Sequence, residues 1–172
     1  MTRFHALTAA ILVLILALPG LALAQEDIQK HSSCPYCGMD RQKFAHSRVY
    51  IEYDDGSTTG ACSLRCAAMD LALNIDKTPK RILVGDYKEK GLIDAEKAFW
   101  VMGGSKMGVM TQRAKWAFGK REDADQFIAE NGGRMVAFEE AMKGTYEDMY
   151  DDTKMIRERR KMKRMKMIEE KR

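Results

Sequence analysis

Four cysteines in the first half of the chain are spaced as the ligands of a metal site would be. Cys34 and Cys37 form a C-x2-C pair, and Cys62 and Cys66 form a second pair further along. Cysteines two residues apart can aim their sulfurs at one centre when the chain turns tightly, and Gly38 suits the positive φ of such a turn. Residues four apart on a helix share a face, so the second pair can point at the same centre.

The sulfur types in these pairs indicate which metals they suit. A thiolate together with a thioether selects Cu(I), whereas four thiolates in a tetrahedron suit zinc. Cys37 and Met39 offer both kinds of sulfur within three residues. His46 and Met69 are further, weaker ligand candidates, since His46 follows the first pair and Met69 continues the helical face of Cys66.

Two other chemistries remain open for the cysteines. An even number of cysteines in an exported chain is typical of a disulfide framework. A C-x-x-C pair can also carry out thiol–disulfide exchange, although here it follows a polar leader and does not open a helix after a strand. Neither a nucleophile–base pair nor a carboxylate dyad is recognisable, so the sequence predicts no enzyme.

A glycine-rich segment in the second half carries three methionines, Met102, Met107 and Met110. Exposed thioethers on such a loop could pass Cu(I) along by ligand exchange. They could equally anchor the loop by folding back onto the core.

The elements that position these residues read as α+β: two small ββαβ units in tandem plus a long C-terminal helix. The pattern predicts strands at 48–53, 57–61, 81–87, 99–102, 114–118 and 135–138, with helices at 62–75 and 121–131. Alternating side chains and the Asp-Asp-Gly turn at 54–56 favour the first hairpin, and Gly132-Gly133 ends the second helix. The expected organisation is a loose leader at 25–33, a first unit at 34–91 with the metal ligands, a second unit at 92–143 and a tail at 144–172.

The first 24 residues predict export. A basic start, an apolar run and Ala-Leu-Ala before Gln25 are typical of a secretory signal cleaved after Ala24, with a retained membrane anchor as the alternative. The sequence therefore predicts a periplasmic protein, without a cysteine for lipid attachment at the junction. Of the 172 residues, 45% are hydrophobic and 31% charged, which is enough for a packed core and argues against disorder.

The net charge of +4 conceals a dipolar chain. Residues 154–172 contain ten Lys and Arg against three Glu, so the body at 25–153 is acidic. This basic, methionine-rich tail is expected to form a helix that packs on a partner or on its own core. A basic helix with an apolar stripe can also bind an anionic membrane surface, whereas nucleic acid is not an expected partner.

Several motifs together resemble the NosL family, the exported copper-binding accessory proteins of nitrous oxide reductase maturation. They are Cys-Pro-Tyr-Cys-Gly-Met at 34–39, the turn at 54–56, Trp-Val-Met-Gly-Gly-Ser-Lys-Met-Gly-Val-Met at 100–110, and Asn-Gly-Gly-Arg-Met-Val-Ala-Phe-Glu-Glu-Ala at 131–141. The resemblance covers residues 34 to 143 and implies two ββαβ units. It also implies Cu(I) binding at Cys37 and Met39 and delivery of copper to the reductase.

The second cysteine pair departs from that family pattern. Gly-Ala-Cys-Ser-Leu-Arg-Cys at 60–66 is instead similar to the C-S-x2-C half of TRASH/YHS-type metal modules. The sequence thus predicts a Cu(I) metallochaperone with Cys62 or Cys66 as third ligand and Cys34 as fourth, acting on a copper-accepting client enzyme. The alternatives are a zinc- or disulfide-stabilised periplasmic interaction module without copper transfer, and a thiol–disulfide protein.

Overall fold

Two antiparallel sheets follow each other along the chain in the computed structural model, which describes residues 26–171. The predicted signal sequence and its cleavage point lie outside the described residues. The first sheet contains β1 (Val49–Tyr53), β2 (Thr58–Ala61), β3 (Pro79–Gly85) and β4 (Leu92–Asp94). The second contains β5 (Phe99–Met102), β6 (Lys115–Phe118) and β7 (Arg134–Val136). The helices are α1 (Glu26–Lys30), α2 (Leu64–Leu73), α3 (Arg121–Asn131) and α4 (Phe138–Glu169).

Both units share a ββαβ topology, to which the first unit adds β4, and this confirms the predicted tandem ββαβ pattern. The strand orders are β2-β1-β3-β4 and β6-β5-β7, so the first strand of each unit lies between its second and third. All of these pairings are antiparallel. A helix connects the second strand to the third in each unit, and one apolar core runs through both.

Local sequence explains the elements of each unit. Along β1, Val49, Ile51 and Tyr53 are buried while the residues between them are half-buried, as the alternating pattern predicts. In α3, Ala124 and Phe127 are buried on one face, and the helix ends at Gly132 with φ of 72°. Only glycine adopts this conformation without strain, so the helix stops there.

The structure differs from the sequence prediction at two places. The segment at 25–33, expected to be a loose leader, contains α1, and its Asp27 and Ile28 are buried. The short strand β4 was not predicted, and it pairs with β3. Residues 92–94 therefore belong to the first sheet, although the expected boundary assigned them to the second unit. Three half-buried residues carry too short a pattern to be recognised.

The long C-terminal helix is present and has two distinct halves. Up to Ile156, α4 packs on α2 and β5, with Ala141, Gly144 and Thr145 buried. From Arg157 to Lys171 every residue is exposed. No helix within residues 26–171 combines the length and apolar character that crossing a membrane requires.

Candidate metal centre

The two cysteine pairs meet at one point, which we call the thiol cluster (Cys34, Cys37, Cys62 and Cys66). All four Sγ atoms lie within 4.8 Å of one another, and all four thiols are free. The Sγ of Cys62 is 3.3 Å from that of Cys37 and 3.7 Å from that of Cys66. Thiolates at such distances can share a single soft ion, since metal–sulfur bonds of about 2.3 Å in a tetrahedron separate the sulfurs by about 3.8 Å. The sequence prediction of two facing pairs agrees with this geometry.

A short hairpin positions the first pair. The Cys34 N–H donates to the Met39 carbonyl and the Gly38 N–H donates to the Cys34 carbonyl, both at 2.9 Å. Gly38 has φ of 77°, the conformation predicted for the tight turn. Cys34 is buried by this arrangement, whereas Cys37 stays half-buried and is the thiol nearest to solvent.

The second pair lies at a strand-to-helix junction. The predicted helix start at Cys62 is wrong, because α2 begins at Leu64 and Cys62 directly follows β2. Cys66 lies in the first helical turn of α2. The Ser47 hydroxyl donates to the Cys62 carbonyl at 2.8 Å and fixes the junction.

The thiols share their protons unequally. Hydrogen bonding from Cys37 and Cys62 holds the pKa of Cys34 far below its usual range. Hydrogen bonding with Cys34 raises the pKa of Cys37, whereas hydrogen bonding with Cys62 and Cys66 lowers it. The pKa of Cys37 is about 7. Hydrogen bonding to Cys34 and Cys37, together with burial, raises the pKa of Cys62 and Cys66. The cluster thus already stabilises negative charge on the hairpin side, which favours a cation.

Buried polar groups hold the hairpin against the sheet, and sequence reasoning missed them. The Arg41 guanidinium donates to Asp27 Oδ2 at 2.7 Å and to the Ala61 carbonyl, next to Cys62, at 3.1 Å. Arg48 also donates to Asp27 Oδ2, at 2.8 Å, so one buried carboxylate joins two buried arginines. No local pattern identifies this network, because its members are far apart in the chain.

A second anchor connects the hairpin to α2. Asp70 is buried and accepts hydrogen bonds from the hydroxyls of Tyr36 and Tyr53. Tyr36 lies between the two hairpin cysteines, and Asp70 lies one turn after Cys66 on α2. This contact therefore sets the distance between the two cysteine pairs.

Beside Cys37 a cleft of about 450 Å³ opens to solvent. We call it the sulfur groove, after its lining by Cys37, Met39, Met107, Met110, Met155 and His46. Four thioethers and an imidazole thus surround the outermost thiol of the cluster. Met155 comes from α4 and was not among the predicted site residues, because its place in a helical series favoured packing on a partner or on the core.

The remaining predicted site residues are dispersed. His46 lines the groove outside the thiol cluster, with its ring 5.5 Å from that of Trp116. Met69 lies on α2, where its sulfur contacts Nη1 of Arg65 at 3.3 Å. Met102 ends β5, is 5% exposed, and packs beneath Gly144 of α4, so it is core and not part of a transfer loop.

Comparisons with known proteins agree with this site. No curated protein matches the chain at a significant level. The solved structure described as the copper chaperone NosL from Shewanella denitrificans is similar, with 25% sequence identity and a TM-score of 0.53 over 63% of this chain and 87% of that one. The family model for NosL matches residues 25–145, which include both units and all four cysteines. The chain therefore belongs to the NosL family.

Proposed function

We propose that this protein is a periplasmic Cu(I) chaperone that supplies copper to nitrous oxide reductase. The observation that carries the proposal is the junction at Cys37, where a buried thiol cluster opens into a groove lined by thioethers. Membership of a copper-chaperone family supports the same function. The proposed cargo ligands are Cys37 and Met39, with Cys62 as the third because its sulfur is nearest to that of Cys37. Cys66, whose sulfur is 3.7 Å from that of Cys62, is the proposed fourth.

The donor set suits a cargo that must be held and then released. Thiolates and thioethers prefer Cu(I), and the buried cysteines exclude water from one side of the ion. Cys37 is reachable from the groove, so an incoming sulfur or imidazole of the acceptor can bind the ion before the chaperone ligands leave. Met107 and Met110 line this route and offer intermediate ligands.

The periplasmic location rests on the signal-like segment at 1–24. Export agrees with a chaperone whose client is outside the cytoplasm. Expression of the full chain, followed by fractionation and mass measurement of the mature N-terminus, tests this point. A chain that begins at Gln25 in the periplasmic fraction is the expected result.

Anaerobic titration of the reduced mature protein tests the copper site. We expect one Cu(I) per chain by native mass spectrometry, with Cys37→Ser abolishing tight binding and Met39→Leu weakening it. Met102→Leu is the matched control, because this methionine is buried away from the groove. Copper binding that is indifferent to both Cys37 and Met39 would contradict the proposal.

The thiol cluster also favours a second candidate, a zinc-stabilised interaction module. Four thiolates within 4.8 Å of one another match a tetrahedral zinc site as well as a copper site. Zinc would need all four cysteines and would not need Met39. Competition between Zn(II) and Cu(I), measured for wild type and for Met39→Leu, distinguishes the copper chaperone from the zinc module. If zinc binds tightly, is not displaced by Cu(I) and binds Met39→Leu equally well, the result favours the zinc module.

A further inference from the structure

The second half of α4 is a strongly charged surface that touches the folded body at its base, through Arg159 and Arg160. We call residues 157–171 the basic segment: it contains eight Lys and Arg against three Glu, and every residue in it is exposed. The family model ends at residue 145, so this segment is an addition to the part of the chain that matches. A helix segment whose residues are all exposed gains little from packing on the body, so its excess of positive charge needs another reason.

The charges lie on every side of the helix, and its apolar residues form only a short, interrupted row. At about 100° per residue, Arg157, Arg160 and Arg164 lie along one face, whereas Arg159, Lys163 and Lys166 lie along another. Met162, Met165 and Ile168 share a side with Lys161 and Glu169, and Met167 lies on the opposite one. Helices that lie in a membrane interface have one apolar face and one basic face. The basic segment is instead suited to electrostatic contact with a single acidic surface.

The base of this segment reaches the copper route. Arg160 donates from Nη2 to the Cys37 carbonyl at 3.2 Å, and Nη2 of Arg159 lies 3.3 Å from the sulfur of Met107. Met155, one turn earlier on the same helix, lines the sulfur groove. A protein bound along the basic segment would therefore be adjacent to the sulfur groove, from which Cys37 is accessible.

We infer that the basic segment docks an acidic surface of the protein that accepts the copper. This inference rests on the proposed function, because it places the acceptor at the opening through which cargo must leave. A membrane could attract the same charges, but it supplies no ligand to the groove. The acidic patch on the acceptor pairs with the segment and brings the acceptor's own ligand to Cys37.

Docking also changes the groove itself. Acceptor carboxylates that pair with Arg159 and Arg160 draw these side chains from Met107 and from the Cys37 carbonyl. Both contacts are exposed and consist of single hydrogen bonds, so they exchange readily for a charged partner. The acceptor thereby widens access to the outermost cysteine only when it is bound.

The test uses the mature full-length protein loaded with Cu(I), and apo nitrous oxide reductase as the probe. The variant K163Q/R164Q/K166Q removes three charges from the exposed segment. The control K80Q/K120Q/K143Q removes three exposed charges from the body. Association is measured by interferometry at low and high salt, copper transfer by the reductase absorbance, and lipid binding with vesicles of phosphatidylglycerol and phosphatidylcholine.

We expect the segment variant to bind the reductase about tenfold more weakly at low salt, with slower copper transfer, because steering by opposite charge is lost. The control and the Cu(I) affinity of both variants should stay within about twofold of wild type. Equal reductase binding by both variants would overturn the inference. It would also be overturned if the segment variant lost binding to anionic vesicles but not to the reductase. The absence of any wild-type association would also overturn it. Failure of the proposed copper function can be told apart from failure of the docking inference, because a lack of Cu(I) binding appears in the Cu(I) titration alone.

Discussion

The two ββαβ units have the same strand order but are stabilised by different interactions. In the first unit, buried charges and hydroxyls surround the thiols: Asp27 joins two arginines, and Asp70 joins two tyrosines. In the second unit, α3 covers its sheet with aromatic contacts, such as Phe118 and Phe127 with ring centres 5.4 Å apart. Repetition of a topology therefore does not imply repetition of the forces that hold it.

The difference follows from what each unit must position. Apolar packing tolerates small shifts of a side chain, whereas four sulfurs around one ion need fixed directions. Hydrogen bonds and buried ion pairs supply direction at a cost in desolvation, and are stabilising only when every partner is present. The first unit accepts this cost around the thiol cluster.

Asp27→Ala gives the largest expected effect and tests the comparison directly. It leaves Arg41 and Arg48, which are 0% and 1% exposed, without their carboxylate. We expect a loss of about 3–5 kcal/mol in the free energy of unfolding. Metal affinity should fall as well, because Arg41 also holds the residue next to Cys62. Urea unfolding and Cu(I) competition measure the two effects.

Phe127→Ala is the matched change in the second unit. Truncation of a buried phenylalanine costs about 3–5 kcal/mol, similar to Asp27→Ala, but the ring of Phe127 contacts those of Tyr87 and Phe118, outside the thiol cluster. Cu(I) affinity at a temperature where the variant is folded should therefore equal that of wild type. Equal losses of affinity in both variants would show that the two units are not functionally distinct.

Cys66→Ser removes a buried ligand while preserving its size. Structural zinc sites with four ligands bind their ion by about 10–16 kcal/mol, or about 3 kcal/mol per ligand. With a similar contribution from Cys66, the affinity for Cu(I) should fall by about 100-fold. The change is confined to the first turn of α2, and circular dichroism of the metal-free protein should be unaltered. If Cys66→Ser binds Cu(I) as wild type does, the buried half of the cluster does not hold the cargo.

Asp148→Asn tests a polar anchor of the second unit, the ion pairs of Asp148 with Arg113 and Lys115. Burial raises the pKa of Asp148, but Arg113 and Lys115 outweigh it, so the pKa lies below the ordinary 3.8. The stabilisation is therefore present above pH 3.8 and is lost as the pH falls through the native pKa. Since Asp148 is 20% exposed, we expect a cost of about 2 kcal/mol at neutral pH. Urea unfolding at pH 7 and in acid should show the difference between variant and wild type shrinking in acid.

Local patterns in the sequence predicted most of the fold and the centre of the site. The alternation in β1, the glycine end of α3 and the C-x2-C-G turn depend on near neighbours, so the chain reveals them. The second cysteine pair shows the limit: the spacing correctly indicated that Cys62 and Cys66 face one point, although Cys62 does so from a strand end and not from the helix.

Contacts between distant segments could not be predicted. Asp27 was placed in a loose leader because a single acidic residue carries no sign of the arginines 14 and 21 positions later. Met155 lines the groove because α4 returns across the first unit, whereas Met102 does not line it because β5 is buried. The number of sulfur-containing residues in a segment therefore does not indicate whether a methionine lines the groove or lies in the core. The path of the folded chain decides it.

Tyr36→Phe gives the smallest expected effect and the sharpest test of how position is set. It removes one of two hydroxyls that Asp70 accepts, and with it the link from the hairpin to α2. We expect about 1–2 kcal/mol less stability and a loss of up to about tenfold in Cu(I) affinity, as for other groups that orient ligands. Tyr53→Phe removes the other hydroxyl from β1, which carries no cysteine. If both variants lose stability but only Tyr36→Phe loses affinity, the hydroxyl of Tyr36 positions the cysteines; equal affinities would assign Asp70 to stability alone.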